Sequence, residues 1–400
     1  MVVAAHSQCE GTTAVDLLER ECGPYMFLDG ITTITFFAGP VPLEQLKERV
    51  VKVVQASPWL AGKLAKKNKE KGQKEAQEKN GGEEAKPGNV QMVFDSAPTA
   101  EQVLDRLFFE MELDISTAMP CEALNAKIEG TTAHIKDIGF CLVKKGLPYT
   151  RFTVARKDAS SWALVFSLSH TVADGYTYYK ILSMLSMNEE ITHLIPTRKH
   201  SIVPALKKAV GARESDISLG AAPLLMNYVC NLVFGGKPRV RAFYVDANKV
   251  QEAKARSSGT DFVSTNDVLT AFWGRLTGAR LLEMPMNFRG RLHDLKADDA
   301  GNYQGCILFS NADCADPANI RRALQRGDGK YQSADPPQPL PGLSSASASI
   351  ASSPIGPPFF LSSALRAAPR PCTSHILIWG RFPPICSTFS GPQRILSAPS

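Results

Sequence analysis

The stretch Trp162-Ala-Leu-Val-Phe-Ser-Leu-Ser-His170-Thr-Val-Ala-Asp174-Gly175 decides how this chain is read. Trp162, Leu164, Phe166 and Leu168 alternate with Ala163, Val165 and Ser167, so both faces of the run are mostly apolar. That pattern predicts a strand covered on both sides. Beyond it, Tyr178, Ile181, Leu182 and Leu185 recur at helical spacing, which predicts an amphipathic helix opening near Gly175. His170 then sits at a strand-to-helix turn, where a side chain is presented on a rigid base. A histidine in that place, with a carboxylate one turn later, points to a general base held in a fixed pose. The plainer alternative is a solvated loop histidine beside a turn Asp-Gly; the ordered elements on either side weigh against it.

Upstream, Tyr25 to Phe37 reads as a strand. The segment from Pro42 to Val54 reads as a helix with Leu43, Leu46, Val50, Val53 and Val54 on one face, stopped by Pro58. Val90 to Phe94, Ile138 to Leu142 and Tyr149 to Ala155 read as further strands. Between them, residues 66–88 (KKNKEKGQKEAQEKNGGEEAKPG) mix both charges with almost no apolar side chain. Such a run cannot bury a core, and a disordered insertion is expected there.

Four hundred residues exceed one ordinary core, so two domains are expected. The first covers residues 1–195. Residues 196–238 show little periodicity and read as a crossover. Residues 239–330 open a second domain. There Val240 to Val245 is strand-like and Ala247 to Arg256 helical. Ser264-Thr-Asn-Asp267 is a capping-box variant ahead of a helix from Asn266 to Arg280, and Glu283 to Asn287 is strand-like, leading into the basic turn of Arg289 and Arg291. From about residue 331 the composition changes: residues 331–400 hold 13 Pro and 14 Ser, with Asp335 as the one carboxylate. Ordinary helices and sheets are not expected in such a stretch. It reads either as a natural disordered tail or as sequence that is not a translated product, and the scarcity of carboxylates favours the second.

An apolar fraction of 44% is that of a globular protein, and a net charge of +6 suits a phosphate-bearing substrate without being a nucleic-acid signature. The nine cysteines form no CxxC pair and no zinc spacing, which points to reduced thiols in a cytosol-like compartment. The N-terminal segment has neither a basic start nor a sustained apolar core, so no secretory signal is read. The most apolar window, Ala221 to Phe234, is too short to span a bilayer. A cytoplasmic monomer is expected, with no nucleic-acid partner, no metal and no transmembrane segment.

Several segments, in order, resemble one family. His170-Thr-Val-Ala-Asp174-Gly175 resembles the HxxxDG motif of the plant-type BAHD acyltransferases, within the coenzyme A-dependent acyltransferase superfamily. Ser264-Thr-Asn-Asp-Val-Leu-Thr-Ala-Phe-Trp273-Gly-Arg275 is similar to the helix that opens their second domain. Met286-Asn287-Phe-Arg289-Gly-Arg291 resembles their Asn-x-Arg-x-Arg segment, and Gly301-Asn302 the Gly-Asn that follows it. Ser57-Pro-Trp-Leu-Ala-Gly62-Lys-Leu64 is similar to their early P-x-x-A-G-R-L stretch. The likeness runs from about residue 20 to 310.

The resemblance implies an α/β fold. It would have two similar mixed-sheet domains of the chloramphenicol acetyltransferase-like type with a solvent channel between them, the second incomplete, plus a disordered tail. It implies an acyltransferase moving groups other than amino-acyl groups, in which His170 takes a proton from a small alcohol or amine acceptor. Acyl-CoA is the co-substrate, and no further cofactor is implied. Asp174 is implied to be structural, paired with Arg289, or with Arg291 as the alternative. Gly175 is expected to permit a tight turn where a Cβ would crowd the channel. Ser264 and Thr265 are read as helix caps or as contacts to the pantetheine arm, and Asn302 as a brace for the site or a turn residue; all three are candidate substrate-binding residues. The family's Asp-Phe-Gly-Trp-Gly signature, which helps supply the oxyanion donor, has only a faint echo in Ile378-Trp379-Gly380-Arg381. Ser169 stands where carrier-protein-dependent condensation domains and wax ester synthases usually carry a first histidine. Those two enzyme types, and an inactive truncated relative, are the competing readings.

Overall fold

The computed structural model describes residues 11–67, 87–212, 214–215, 245–277, 281–325, 327, 329–333, 350–352 and 376–378. Most of the expected insertion, most of the crossover and most of the Pro/Ser-rich tail lie outside the described residues, as does the strand read at Val240 to Val245 except its last residue, which is not in a strand. The protein is a mixed-sheet α/β structure that divides into two compact units. One comprises the described residues up to Pro204, with Leu292–Tyr303 and a short strand at Ile376–Ile378. The other comprises Ala205–Arg291 and the residues from Gln304 to Ser352.

The strand read from the sequence at Trp162 is the centre of the first unit. Strand β7 (Ser161–Leu168) lies between β2 (Ile31–Ala38) and β6 (Thr150–Asp158), antiparallel to both. β5 (Phe108–Glu112) adds parallel to β6, and β11 (Ile376–Ile378) antiparallel to β2, completing five strands in the order β11-β2-β7-β6-β5. The alternation in β7 is used on both faces. Trp162, Leu164, Phe166 and Leu168 share a core with Val50, Val53 and Val54 of helix α1 (Leu43–Ala56). Tyr178, Ile181 and Leu182 of helix α5 (Gly175–Met184) belong to that same core. Ala163 and Val165 face the opposite way, into a smaller core with Ile34, Leu124 and Ile128, the last two from helix α3 (Cys121–Glu129). A strand covered on both sides needs this near-continuous apolar sequence.

The seat of α5 is specific. The Phe152, Phe166 and Tyr178 rings stack in a column, with centroids 4.9 and 4.6 Å apart. Each such buried side chain contributes about 1.5–3 kcal/mol through area removed from water. The Tyr178 hydroxyl donates to the Phe166 carbonyl at 2.7 Å and meets Thr33 Oγ1 at 2.8 Å, so the one polar atom of the column is satisfied. A second, antiparallel sheet of the same unit has the order β1-β4-β3, from β1 (Thr12–Leu18), β4 (Pro87–Asp95) and β3 (Lys63–Lys66).

In the second unit, β8 (Leu281–Asn287) pairs antiparallel with β9 (Gln304–Phe309) and parallel with β10 (Ile350–Ser352). Val250, Val263, Val268 and Ala318 form a core shared by the helices Ala247–Arg256, Thr265–Thr277 and Pro317–Leu324. Strands β10 and β11 come from the stretch where no sheet was expected. Both are three-residue segments free of proline and glycine, and each opens with a β-branched isoleucine.

Two local expectations are corrected. Tyr25 to Phe37 is not one strand: Pro24–Phe27 is a 3-10 turn with proline at its start, and β2 begins only at Ile31. Ile138 to Leu142 is not a strand but the start of helix α4 (Gly139–Lys145). Gly146 closes α4 in the left-handed conformation at φ 64°, with Lys144 and Lys145 in the last turn. A five-residue apolar run carries no period long enough to separate the two states. Among the described residues no helix is long and apolar enough to cross a membrane.

Candidate functional site

The turn bearing His170 is fixed from both ends. Leu168 is held between Ile31 and Thr150 in the sheet, and Ser169 N donates to Tyr149 O at 2.9 Å. Four residues on, Asp174 caps α5: its Oδ1 accepts from Thr177 N at 3.0 Å. Its Oδ2 accepts from Tyr303 N at 2.9 Å, and its own N–H donates to Gly301 O at 3.2 Å. The Asp174 carboxylate thus joins the start of α5 to the Gly301–Tyr303 loop. The imidazole Nδ1 has its side-chain partner elsewhere.

That partner is Asn302, 132 residues away: its Oδ1 lies 3.1 Å from His170 Nδ1. The Asn302 amide group donates through Nδ2 to Glu21 Oε1 at 3.0 Å, His170 O at 2.9 Å and Thr171 O at 3.2 Å. Reversing the amide would turn its oxygen toward three acceptors, so its orientation is determined. Oδ1 must therefore accept from His170 Nδ1–H, which leaves the lone pair of the neutral imidazole on Nε2. Burial, the largest influence, lowers the His170 pKa below the ordinary histidine value. A hydrogen bond to its own backbone, the Asp174 charge, the Asn302 bond and the Glu21 charge oppose the shift without reversing it. His170 is 4% exposed, and the Tyr25 ring meets it edge-to-face at 5.3 Å. A buried, neutral imidazole of defined tautomer is suited to accepting one proton at Nε2.

Behind Asn302 stands a fully buried ion pair. Arg198 Nε donates to Glu21 Oε2 at 2.8 Å, with both side chains at 0% exposure. From the rest of the guanidinium, Nη1 donates to Pro196 O at 2.9 Å and Ala300 O at 2.8 Å, and Nη2 to Val172 O at 2.7 Å and, more weakly, to Met92 Sδ at 4.0 Å. One side chain therefore ties the His170 turn to the loop carrying Asn302. Gly301 is required in that loop. Its φ is +143°, and a Cβ there would lie 3.0 Å from the Arg198 guanidinium carbon.

Of the residues singled out from sequence, His170, Asp174, Gly175 and Asn302 are brought together in the first unit. Asn302 is a brace. A Cβ at Gly175 would meet nothing within 4 Å and its φ is not positive, so protein packing does not demand glycine there, and the crowding of a channel stays an expectation of the resemblance. Gly175 is simply the first residue of α5, and the tight turn before it is stabilised by the Asp174 cap. Ser264, Thr265, Arg289 and Arg291 belong to the second unit. Ser264 N donates to Asp267 Oδ2 at 2.7 Å and Asp267 N to Ser264 Oγ at 3.2 Å, the reciprocal capping box read from the sequence. Thr265 opens that helix. Arg289 donates to Asn287 Oδ1 from its backbone N and from Nη1, and Arg291 Nε donates to Asn287 O. Asp174 and Arg289 fall in different units, so their pairing stays an expectation of the resemblance. Among the described residues no group of three His, Cys, Asp or Glu side chains is placed to hold a metal ion.

Sequence reasoning missed Glu21 and Arg198. They lie 177 residues apart, and no local period links them. The one signal was the family likeness of Gly301-Asn302, which pointed to their partner.

No protein-family model matches the chain, and no curated protein matches it. Among solved structures it is similar to F. sporotrichioides TRI101 complexed with coenzyme A and T-2, at 14% identity and a TM-score of 0.47, over 79% of this chain and 75% of that one. F. graminearum TRI101 complexed with coenzyme A and deoxynivalenol matches at 14% identity and a TM-score of 0.48, over 79% and 75%. The condensation domain from the monacolin K polyketide synthase MokA matches at 11% identity and a TM-score of 0.45, over 83% and 81%.

Proposed function

We propose that this protein transfers an acyl group from acyl-CoA to a hydroxyl or amine acceptor, with His170 as general base. One observation carries the reading: at the HxxxDG turn, a buried neutral imidazole has Nδ1 bound to Asn302, leaving Nε2 as the basic nitrogen. The acceptor gives its proton to Nε2 as its oxygen or nitrogen bonds to the thioester carbonyl carbon. The tetrahedral intermediate then expels the thiolate as the C–S bond breaks, and the proton on Nε2 passes to sulfur. The products are an ester or amide and free CoA, with His170 restored. No covalent bond to the protein and no metal enters this sequence of steps. Asp174 acts here as scaffold, holding α5 and the Asn302 loop in register.

The test uses the full 400-residue chain with a panel of acyl-CoAs, alcohols and amines, and a free-thiol readout. CoA release that requires an acceptor is expected. His170→Ala should lower turnover by about 10²–10⁴-fold, with an unchanged circular-dichroism spectrum. Acceptor-independent thiol release, or near-normal turnover in His170→Ala, would remove the reading.

A further inference from the structure

We infer that Glu21 and Arg198 are positioning residues of His170, acting through Asn302 to hold the imidazole as the tautomer with its lone pair on Nε2. The inference rests on the proposed role of His170 as a base and names what keeps that base usable.

The Glu21 carboxylate has its two oxygens assigned to different tasks. Oε2 accepts from Leu18 N at 2.9 Å and from Arg198 Nε at 2.8 Å, which fixes the group against β1 and against the Arg198 segment. Oε1 faces Asn302 and accepts from both its backbone N and its Nδ2, each at 3.0 Å. A carboxylate is an acceptor on every face, whereas an amide at this position would offer a donor on one side. Of the Asn302 amide group, Glu21 therefore accepts only from the NH2 end, together with the His170 and Thr171 carbonyls, and the oxygen end faces His170 Nδ1; an amide at position 21 would turn a donor toward that NH2 end. The charge of Arg198 offsets what would otherwise be a buried anion with no counter-ion. The same guanidinium binds Val172 O and Ala300 O, so it also sets the separation of the two loops across which the His170–Asn302 bond forms.

A purely structural ion pair would hold the loops without caring which imidazole nitrogen bears the proton. This one ends on a group whose two tautomers differ in chemical use. Asp174, the other charge acting on His170, caps α5 through Thr177 N and holds the Asn302 loop through Tyr303 N, whereas Glu21 reaches the ring through Asn302, the side chain bonded to Nδ1.

The test reads the tautomer directly. The full chain is labelled with 15N-histidine, and long-range proton–nitrogen spectra are recorded where His170 is neutral, its signals assigned by their loss in His170→Gln. The wild-type ring should show a protonated Nδ1 and a bare Nε2. Glu21→Gln should give a mixture of tautomers. It should also lower kcat by about 10- to 100-fold, the loss usual for a partner that orients an imidazole from behind, while KM for the acyl donor changes little. Asn302→Ala, which leaves the ion pair intact, should give the same mixture, and adding Glu21→Gln to it should not shift the mixture further. A bare Nδ1 in the wild type overturns the inference. So does a Glu21→Gln variant whose tautomer is unchanged while its melting temperature falls. If Glu21→Gln does not fold, an unchanged tautomer in Asn302→Ala overturns it. A tautomer shift in a chain that transfers no acyl group supports the positioning and removes only the proposed activity.

Discussion

Among the described residues, each unit contains an arginine paired with a fully buried carboxylate close to a helix start or a turn, and the two pairs are built differently. In the first, Glu21 and Arg198 are both at 0% exposure, and each Glu21 oxygen has two donors. In the second, Asp267 is at 0% and Arg321 at 15%. There Ser264 N and the Arg321 guanidinium all converge on Oδ2, while Oδ1 has no hydrogen-bond partner among the described residues. The second pair ends where it begins, at the cap of the helix Thr265–Thr277. The first leads through Asn302 to an imidazole. Burial and charge alone do not separate the two. What separates them is whether the hydrogen bonds run on to a group that can change its protonation.

The largest effect that would sharpen this contrast is on stability. Arg198→Met strands the Glu21 carboxylate in a site sealed from water, and the cost should be about 3–5 kcal/mol. Arg321→Met leaves Asp267 with its Ser264 bond, and the partial exposure of Arg321 gives water a way in. The expected cost is about 1.5–3 kcal/mol, that of hydrogen bonds to a charged group. Urea titration of both variants, with circular dichroism as the readout, checks the order. Equal losses would mean that the two pairs differ only in their surroundings.

The next effect is on pH dependence. His170 is proposed to work as the neutral form, and burial places its pKa below the ordinary value. The acid limb of kcat/KM should therefore lie at a lower pH than that of a solvent-exposed histidine, with activity lost as pH falls through it. The charges acting on the ring are Asp174 and Glu21, and both raise its pKa. Glu21→Gln removes one of them, so the limb should move to still lower pH even as turnover falls. Arg321→Met should leave the limb in place. A limb that moves up in Glu21→Gln would contradict the sign of the Glu21 contribution.

Legibility in the sequence followed the range of the interaction. β7 and α5 could be read because the 2-residue and helical periods around His170 span enough residues to be distinct. The Ser264–Asp267 cap could be read because its partners are three residues apart. Ile138–Leu142 was misread because five apolar residues fit either state. Strands β10 and β11 escaped notice inside a composition that argues against sheets; their pairing is set by β8 and β2, not by local preference. At the site, His170 and Asp174 were visible as a local motif, whereas the bond from Asn302 to His170 and the Glu21–Arg198 pair join distant segments and exist only once the chain is folded.

The smallest expected effect bears on Ser264, for which two roles were open: helix cap or contact to the pantetheine arm. Its Oγ accepts from Asp267 N at 3.2 Å, so the lone-pair side of the hydroxyl serves the cap. Its backbone N–H is committed to Asp267 Oδ2. Ser264→Ala removes the first of these bonds and leaves the second. The helix should lose about 1 kcal/mol, seen as a modest drop in the urea midpoint. The hydroxyl proton is the one group the cap does not use, and a ligand could take only that. If Ser264 is a cap alone, KM for acyl-CoA stays at the wild-type value while the midpoint falls. If KM rises about tenfold, equivalent to 1.4 kcal/mol, with the midpoint unchanged, the hydroxyl is binding the coenzyme arm. The second unit would then carry a ligand contact at the very helix start that its ion pair stabilises, and the division drawn between a pair that serves chemistry and a pair that serves only the fold would fail.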